Sequence, residues 1–471
     1  MSIQRIAGIA VFIVLIISSM LLAGCPSIDG RPPEYSIDNP YAVPDGSSGI
    51  VVSYQVNSGN AVHIRMQRLG EQGDALWEEK GIDLASGSMG FTGGWGDFAP
   101  LVTDGHGNVT VVYSQNKNIW ATKLDMDGSP VWEGEGIRQL SPDDVPATAY
   151  FRAIGNGTGE IIIAWISGKG RLTLQKCDGP KAYFTTVSTP DVDRFDITGD
   201  DSGNVFILWK DNPGYGEGDI SVQKVDADAE LTWPSGGLQL TDTRNPGLTR
   251  SDLVHMITGD RESGVTALRV QGTLSEDGKL ITGRELYAQR IDSTGHPLWG
   301  ENGIYIMKAA HEPSIMASQS GETVVLWTDL QTIYAQRLDA EGNAEWPEVG
   351  IEVGQAGEHN NVIYFDATGD DAGGAVVVWN YSENGNVSLR AQRLDAGGNK
   401  LWGDDGIRVS TVSPYWGGYS TPARILPDAD GRFIVTWAAG EHIKDKTSSR
   451  IQRISSDGML LWGEDGIRLN P

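Results

Sequence analysis

Short, continuous apolar runs alternate along this chain with turns rich in Asp and Gly. The first three runs are Gly49-Ile50-Val51-Val52-Ser53-Tyr54, Gly107-Asn108-Val109-Thr110-Val111-Val112-Tyr113 and Glu160-Ile161-Ile162-Ile163-Ala164-Trp165. Asn204 to Trp209, Glu322 to Trp327, Ala375 to Trp379 and Phe433 to Trp437 repeat the form. β-Branched runs of this length, bounded by glycine and closed by an aromatic, predict central strands covered on both faces. The fifth copy, Gly264 to Arg269, carries a charge where the others have an aromatic. A less regular strand precedes each run, as in Phe98 to Val102, Tyr150 to Ile154, Val362 to Phe365 and Thr421 to Ile425.

Downstream of each run comes a recurring phrase. It reads Met66-Gln67-Arg68-Leu69 to Trp77, Ala121-Thr122-Lys123-Leu124-Asp125 to Trp132, and Val222-Gln223-Lys224-Val225-Asp226 to Trp233. It continues from Ala288 to Trp299, Ala335 to Trp346, Ala391 to Trp402 and Ile451 to Trp462. A glycine stands four residues before six of these tryptophans, and Ala229 replaces it before Trp233. A worn copy, Leu174-Gln175-Lys176-Cys177-Asp178, has no tryptophan. The phrase supplies a third strand, and the tryptophan with the Gly-Ile after it is read as the fourth. Four strands recurring about every 55 residues predict an all-β chain, an eight-bladed β-propeller of four-stranded antiparallel blades, with seven blades as the runner-up. The Gln and Arg of the third strand are expected to form a hydrogen-bonded ladder.

The front end differs. Met1 to Arg5 holds one positive charge, Ile6 to Leu22 is almost unbroken apolar sequence, and Leu22-Ala23-Gly24-Cys25 follows. This resembles the bacterial lipoprotein signal, and a helix of that length barely reaches across a bilayer. The resemblance implies cleavage after residue 24, lipidation of Cys25 and an extracytoplasmic, membrane-anchored protein. Pro26 after the cysteine leans toward the outer membrane or, in a one-membrane cell, its surface. The expected layout is signal 1–24, tether 25–40 and one propeller over 41–471. With Cys25 lipidated, only Cys177 remains, so the fold has no intrachain disulfide to rely on; Cys177 is read as a small buried hydrophobe. A formal net charge of −26 argues against nucleic acid and against membrane contact beyond the lipid.

The spaced Asp, Gly and Trp resemble the tryptophan-docking motif of quinoprotein-like propellers, one branch of which is an outer-membrane lipoprotein that helps assemble barrel proteins. That resemblance implies that Trp77, Trp132, Trp233, Trp299, Trp346, Trp402 and Trp462 are inter-blade clamps. The Asp-to-Gly spacing is usually one residue shorter here than in that pattern.

Chemistry is sparse. The seven histidines are scattered, with no i, i+4 pair, and there is no phosphate-binding loop, haem-attachment or nucleophile-elbow motif. Neither a cofactor nor a metal is expected. Asp200-Asp201, Asp370-Asp371 and Asp428-Ala429-Asp430 recur before central strands and are read as turn builders, with calcium as the alternative. Departures from the repeat are better candidates, because function sits in loops. Phe91 and Trp95 lead into the second blade, and Tyr415, Trp416 and Tyr419 into the eighth. These glycine-rich aromatic loops form a candidate ligand platform on one face, with ordinary loop packing over the channel mouth as the alternative. Gly272 to Arg284 and Ala438 to Ser449 are read as irregular loops, either partner contacts or tolerated insertions. The expected role is a monomeric, non-catalytic envelope scaffold that binds a protein or surface glycan. The alternative is a propeller enzyme such as a glycoside hydrolase or a quinoprotein-like oxidoreductase, which would need acids and arginines gathered at the channel.

Overall fold

The computed structural model describes residues 36–469, apart from 59–60, 88–99, 116–117, 133–136, 140–150, 156–159, 169, 179–180, 188–191, 201, 212–217, 241–254, 261–263, 275–280, 309, 319–320, 358–363, 385, 413–422 and 441–446. The chain forms eight four-stranded sheets, each with strands adjacent in chain order and all antiparallel. The blades span 36–87, 101–139, 151–186, 192–239, 255–308, 311–355, 365–410 and 424–468. A single 3₁₀ turn, Ala429–Gly431, is the one helical element among the described residues. The innermost strand of blade one is Ser36–Pro44, so the sheet begins ahead of residue 41.

The second strand of each blade shows why a continuous apolar run was selected. In Thr323–Thr328 all residues are buried. Val324 and Leu326 pack toward blade seven, whereas Val325 and Trp327 pack toward blade five. A strand between two sheets has no solvent face, so both side-chain parities are apolar. The closing aromatic always lies on the parity facing the preceding blade, as with Trp209, Trp379 and Trp437.

The ring closes on itself. Innermost strands touch their neighbours all the way round, including first against last. Ala42, Ile50, Val52 and Tyr54 of blade one share a core with Ile434, Ile451 and Trp462 of blade eight. Thr436 Oγ1 donates to the carbonyl of Pro40 at 3.0 Å across the same seam. Among the described residues no strand is exchanged between the two ends, and side-chain packing and hydrogen bonds join the seam.

Several details depart from the sequence reading. Blade three, the worn copy, is a complete sheet, which removes the seven-bladed alternative. The tryptophans do not lie on the fourth strands: those begin later, at Ile82, Ile137, Leu238, Ile304, Ile351, Ile407 and Ile467. Trp and Gly instead occupy an excursion of constant length (70–81, 125–136, 226–237, 292–303, 339–350, 395–406 and 455–466). Blade three lacks this excursion, and Leu172–Asp178 leads almost directly into Lys181–Thr186. The two segments read as irregular loops are mostly long hairpins, because their strands continue pairing: Val265–Leu274 with Ile281–Ile291, and Phe433–Gly440 with Thr447–Ile454.

Candidate functional site

One end of the ring carries the turns between first and second strands together with the tryptophan excursions, and its chemistry is uniform. Trp77, Trp299, Trp346, Trp402 and Trp462 donate Nε1–H to a carbonyl of the next blade at 3.0–3.1 Å, and Trp233 does so at 3.4 Å. The acceptors are Met126, Ala340, Ala396, Ser456, Glu71 and Ser293. In five of these junctions an arginine from the same blade shares the acceptor: Arg68 with Trp77, Arg290 with Trp299, Arg337 with Trp346, Arg393 with Trp402 and Arg453 with Trp462. Each indole also lies over the glycine four residues before the next tryptophan; a Cβ on Gly458 would stand 2.9 Å from Trp402. That glycine sits in the left-handed region, at φ 89°. Trp132 is half-buried and packs at the edge of the core between blades two and three.

Gln and Arg do not form the expected ladder, because they point to different tasks. Gln Oε1 accepts the backbone N–H of its own blade's tryptophan, at 3.0–3.3 Å for Gln67, Gln289, Gln392 and Gln452. The basic residue pairs with the acid that opens the first turn: Arg68 with Asp45, Lys123 with Asp104, Arg290 with Asp260, Arg393 with Asp370 and Arg453 with Asp428. Acids at this turn position also accept turn backbone N–H groups, as Asp200 does from Ser202 and Asn204 and Asp370 does from Ala372 and Gly374. At Asp104, burial raises the pKa, but bonds from Lys123, Asn108 and the His106 N–H outweigh it and hold the carboxyl at about 2. These acids therefore build turns and junctions. Among the described residues no group of three or more His, Cys, Asp or Glu could hold a metal ion.

The opposite end of the ring is irregular. Hairpins between second and third strands range from 59–60 to 212–219, and connections between blades from 309–310 to 240–254. Phe91, Trp95, Tyr415, Trp416 and Tyr419 fall within 88–99 and 413–422, between the fourth strand of one blade and the first of the next, and lie outside the described residues, as does Cys25. Half-buried polar groups at equivalent positions of the innermost strands flank the channel near this end. Arg152 and Asp196 pair at 3.6 Å between blades three and four. Asp366 accepts from the N–H of Ile425 at 2.8 Å, and the Arg424 guanidinium lies 4.9 Å from the Tyr41 ring. Blades three and four stand across the ring from seven and eight, so the two arginines lie on opposite walls.

Sequence reasoning missed a second polar cluster, on blade five. Arg269 occupies the position of the closing aromatic and stacks on Tyr287, with its guanidinium 4.4 Å from the ring centroid. Tyr287 donates to Glu285 at 2.9 Å and meets Tyr305 edge-on, 5.7 Å between centroids. The signal was present in the lone charge ending the fifth run, but Tyr287 and Tyr305 are joined to it only by strand register.

Comparison with known proteins places the fold and no more. No family model matches, and no curated protein matches. The BP39L lectin from Burkholderia pseudomallei superposes with a TM-score of 0.51 at 12% identity, covering 79% of this chain and 99% of the lectin. An ulvan lyase, a polysaccharide lyase, gives 0.47 at 12% identity, covering 76% of this chain and 91% of its own. The β-propeller domain of the trilobed protease from Pyrococcus furiosus gives 0.40 at 8% identity, covering 78% of this chain and 97% of its own. At such identities the likeness speaks for the propeller architecture alone.

Proposed function

We propose that this is a lipid-anchored, extracytoplasmic, monomeric binding propeller that recognises a surface glycan through the end of the ring bearing variable hairpins. The observation that carries this reading is the contrast between the two ends. One repeats a single set of bonds in nearly every junction, whereas the other varies in length and side chains from blade to blade. A scaffold fixed at one end and free to vary at the other suits recognition. Half-buried polar side chains near that end, such as Arg152, Asp196 and Asp366, supply partners for sugar hydroxyls. The lectin likeness is compatible with this role, and a protein ligand in the envelope remains the competing outcome of the test.

The test is a glycan panel probed with the mature chain, run beside an assay for newly formed reducing or unsaturated sugar ends. Binding without new ends supports the reading; cleavage would replace it with an enzyme, for which Arg152, Asp196, Asp366 and Arg424 at the channel would be the first residues to vary. Anchoring is tested separately. Cys25→Ala should leave the membrane fraction and lose incorporation of labelled fatty acid, and retention of both would overturn the lipoprotein reading.

A further inference from the structure

In blades seven and eight, strand register places a buried tryptophan beside an arginine: Trp379 next to Arg390, and Trp437 next to Arg450. Those arginines donate to the carbonyls of Asp405 and Asp465, just before the glycine that opens the fourth strand. Blade five exchanges the two. Arg269 comes from the second strand and donates to the equivalent carbonyl, Asn302, at 3.1 Å. The third strand then presents Tyr287 in place of arginine, and the fourth presents Tyr305 in place of Arg408 or Arg468. The backbone bond survives the exchange, so the repeat's structural need is met. What is gained is an outward aromatic pair.

The pair is arranged for contact. Tyr305 is 53% exposed and is the one aromatic among the exposed large apolar side chains of the described residues. Its ring is held edge-on by Tyr287, which is in turn held from the other side by Arg269. The Tyr287 hydroxyl engages Oε2 of Glu285, and no described residue bonds Oε1. Gln271 lies across from Glu285 and accepts from Arg269 at 2.9 Å, and Lys308 flanks Glu285 on the fourth strand.

We propose that this face of blade five is a binding site for a neutral pyranose ring with vicinal hydroxyls, a proposal that rests on the glycan reading above. The ring stacks on Tyr305, and adjacent hydroxyls donate to Glu285 and accept from Lys308. A fixed aromatic with neighbouring planar polar groups and no buried apolar pocket suits a sugar better than a peptide side chain. The protein's net charge of −26 disfavours polyanionic glycans and selects the neutral ones.

The experiment measures affinity of the mature chain for whichever neutral glycans the panel returns, in three forms: unaltered, Tyr305→Ala, and the double variant Arg269→Trp with Tyr287→Arg. The double variant restores the arrangement of blades seven and eight, so it should fold with an unchanged melting temperature. Both variants should bind at least tenfold more weakly. Unchanged affinity in both variants overturns this site while leaving glycan binding to another part of the ring. No neutral glycan bound by the unaltered chain overturns the site as well, and no glycan of any kind overturns the broader reading with it.

Discussion

The junction between blades seven and eight and the junction between blades three and four solve the same problem with different parts. At the first, Trp402 and Arg393 converge on the carbonyl of Ser456, and the indole lies on Gly458. At the second there is no excursion and no tryptophan. Lys176, 1% exposed, reaches across alone and bonds the carbonyls of Asp226 and Gly203, one residue short of the usual acceptor position. The glycine that would receive an indole is Ala229 there. Gln175, whose counterparts brace a tryptophan N–H, has a buried Oε1 with no partner among the described residues. Three departures at separate places in the sequence thus share one cause, the missing excursion. Each part of the clamp is maintained where its partner exists and lapses where it does not.

The clamp should matter most where it also closes the ring. Arg453 and Asp428 are an ion pair at 2.8 Å with both side chains at 0% exposure, and the guanidinium further bonds the carbonyls of Glu71 and Ser48 in blade one. Arg453→Ala leaves Asp428 buried without its main partner and opens the seam. The expected loss lies at the upper end of roughly 3–5 kcal/mol, read from urea unfolding. A loss below about 1 kcal/mol would show that closure does not depend on this contact. Next comes Trp402→Ala, which removes a nearly buried indole, its hydrogen bond and its cover of Gly458, at a cost of about 3 kcal/mol. The matching change at the edge of blade three, Trp132→Ala, should cost distinctly less, because that indole is already half-exposed. Equal losses would break the comparison.

Much of this was legible in the sequence because the repeat samples the same packing problem many times. The count of blades followed from the runs ending at Tyr54, Tyr113, Trp165, Trp209, Trp327, Trp379 and Trp437, with the fifth run as the exception. What could not be read was where each repeated polar residue points. Gln67 turns back into its own excursion while Arg68, its neighbour, faces the next blade, as strand alternation requires once the register is known. The turn-building role of these acids could be read from their recurrence, yet their arginine partners lie some 20 to 30 residues away in sequence, across a register no local pattern reveals. The blade-five cluster was hidden for the same reason. Arg269 stood out by itself, but its exchange with Tyr287 is visible only when strands are laid side by side.

Acid should sharpen the contrast among junctions. Asp104 in blade two pairs with Lys123 at 2.6 Å within its own blade. Folding depresses the carboxyl from 3.8 to about 2. A depressed folded pKa contributes stability that is fully present above about pH 4 and is lost as pH falls through about 2, because the unfolded chain takes up the proton first. The contribution is about 2 kcal/mol. Asp104→Asn should therefore be less stable than the unaltered chain at pH 7 and converge with it near pH 2, measured as denaturation midpoints across that window. Parallel curves would mean that the pair does not carry this part of the acid response.

The smallest effect is the most specific to the comparison. Ala229 holds a left-handed φ of 66° at the one recorded receiving position that no tryptophan covers. Ala229→Gly relieves the backbone at the expense of a more flexible unfolded chain, for a net gain of about 0.5 kcal/mol. Gly458→Ala has the opposite sign and a larger size, about 1–2 kcal/mol, since it adds the same left-handed penalty and drives a methyl against the Trp402 indole. If the glycine served only the turn, the two changes would be equal and opposite. An excess cost at Gly458 that vanishes in a Trp402→Ala background assigns the remainder to the indole, and a double-mutant cycle measures it directly.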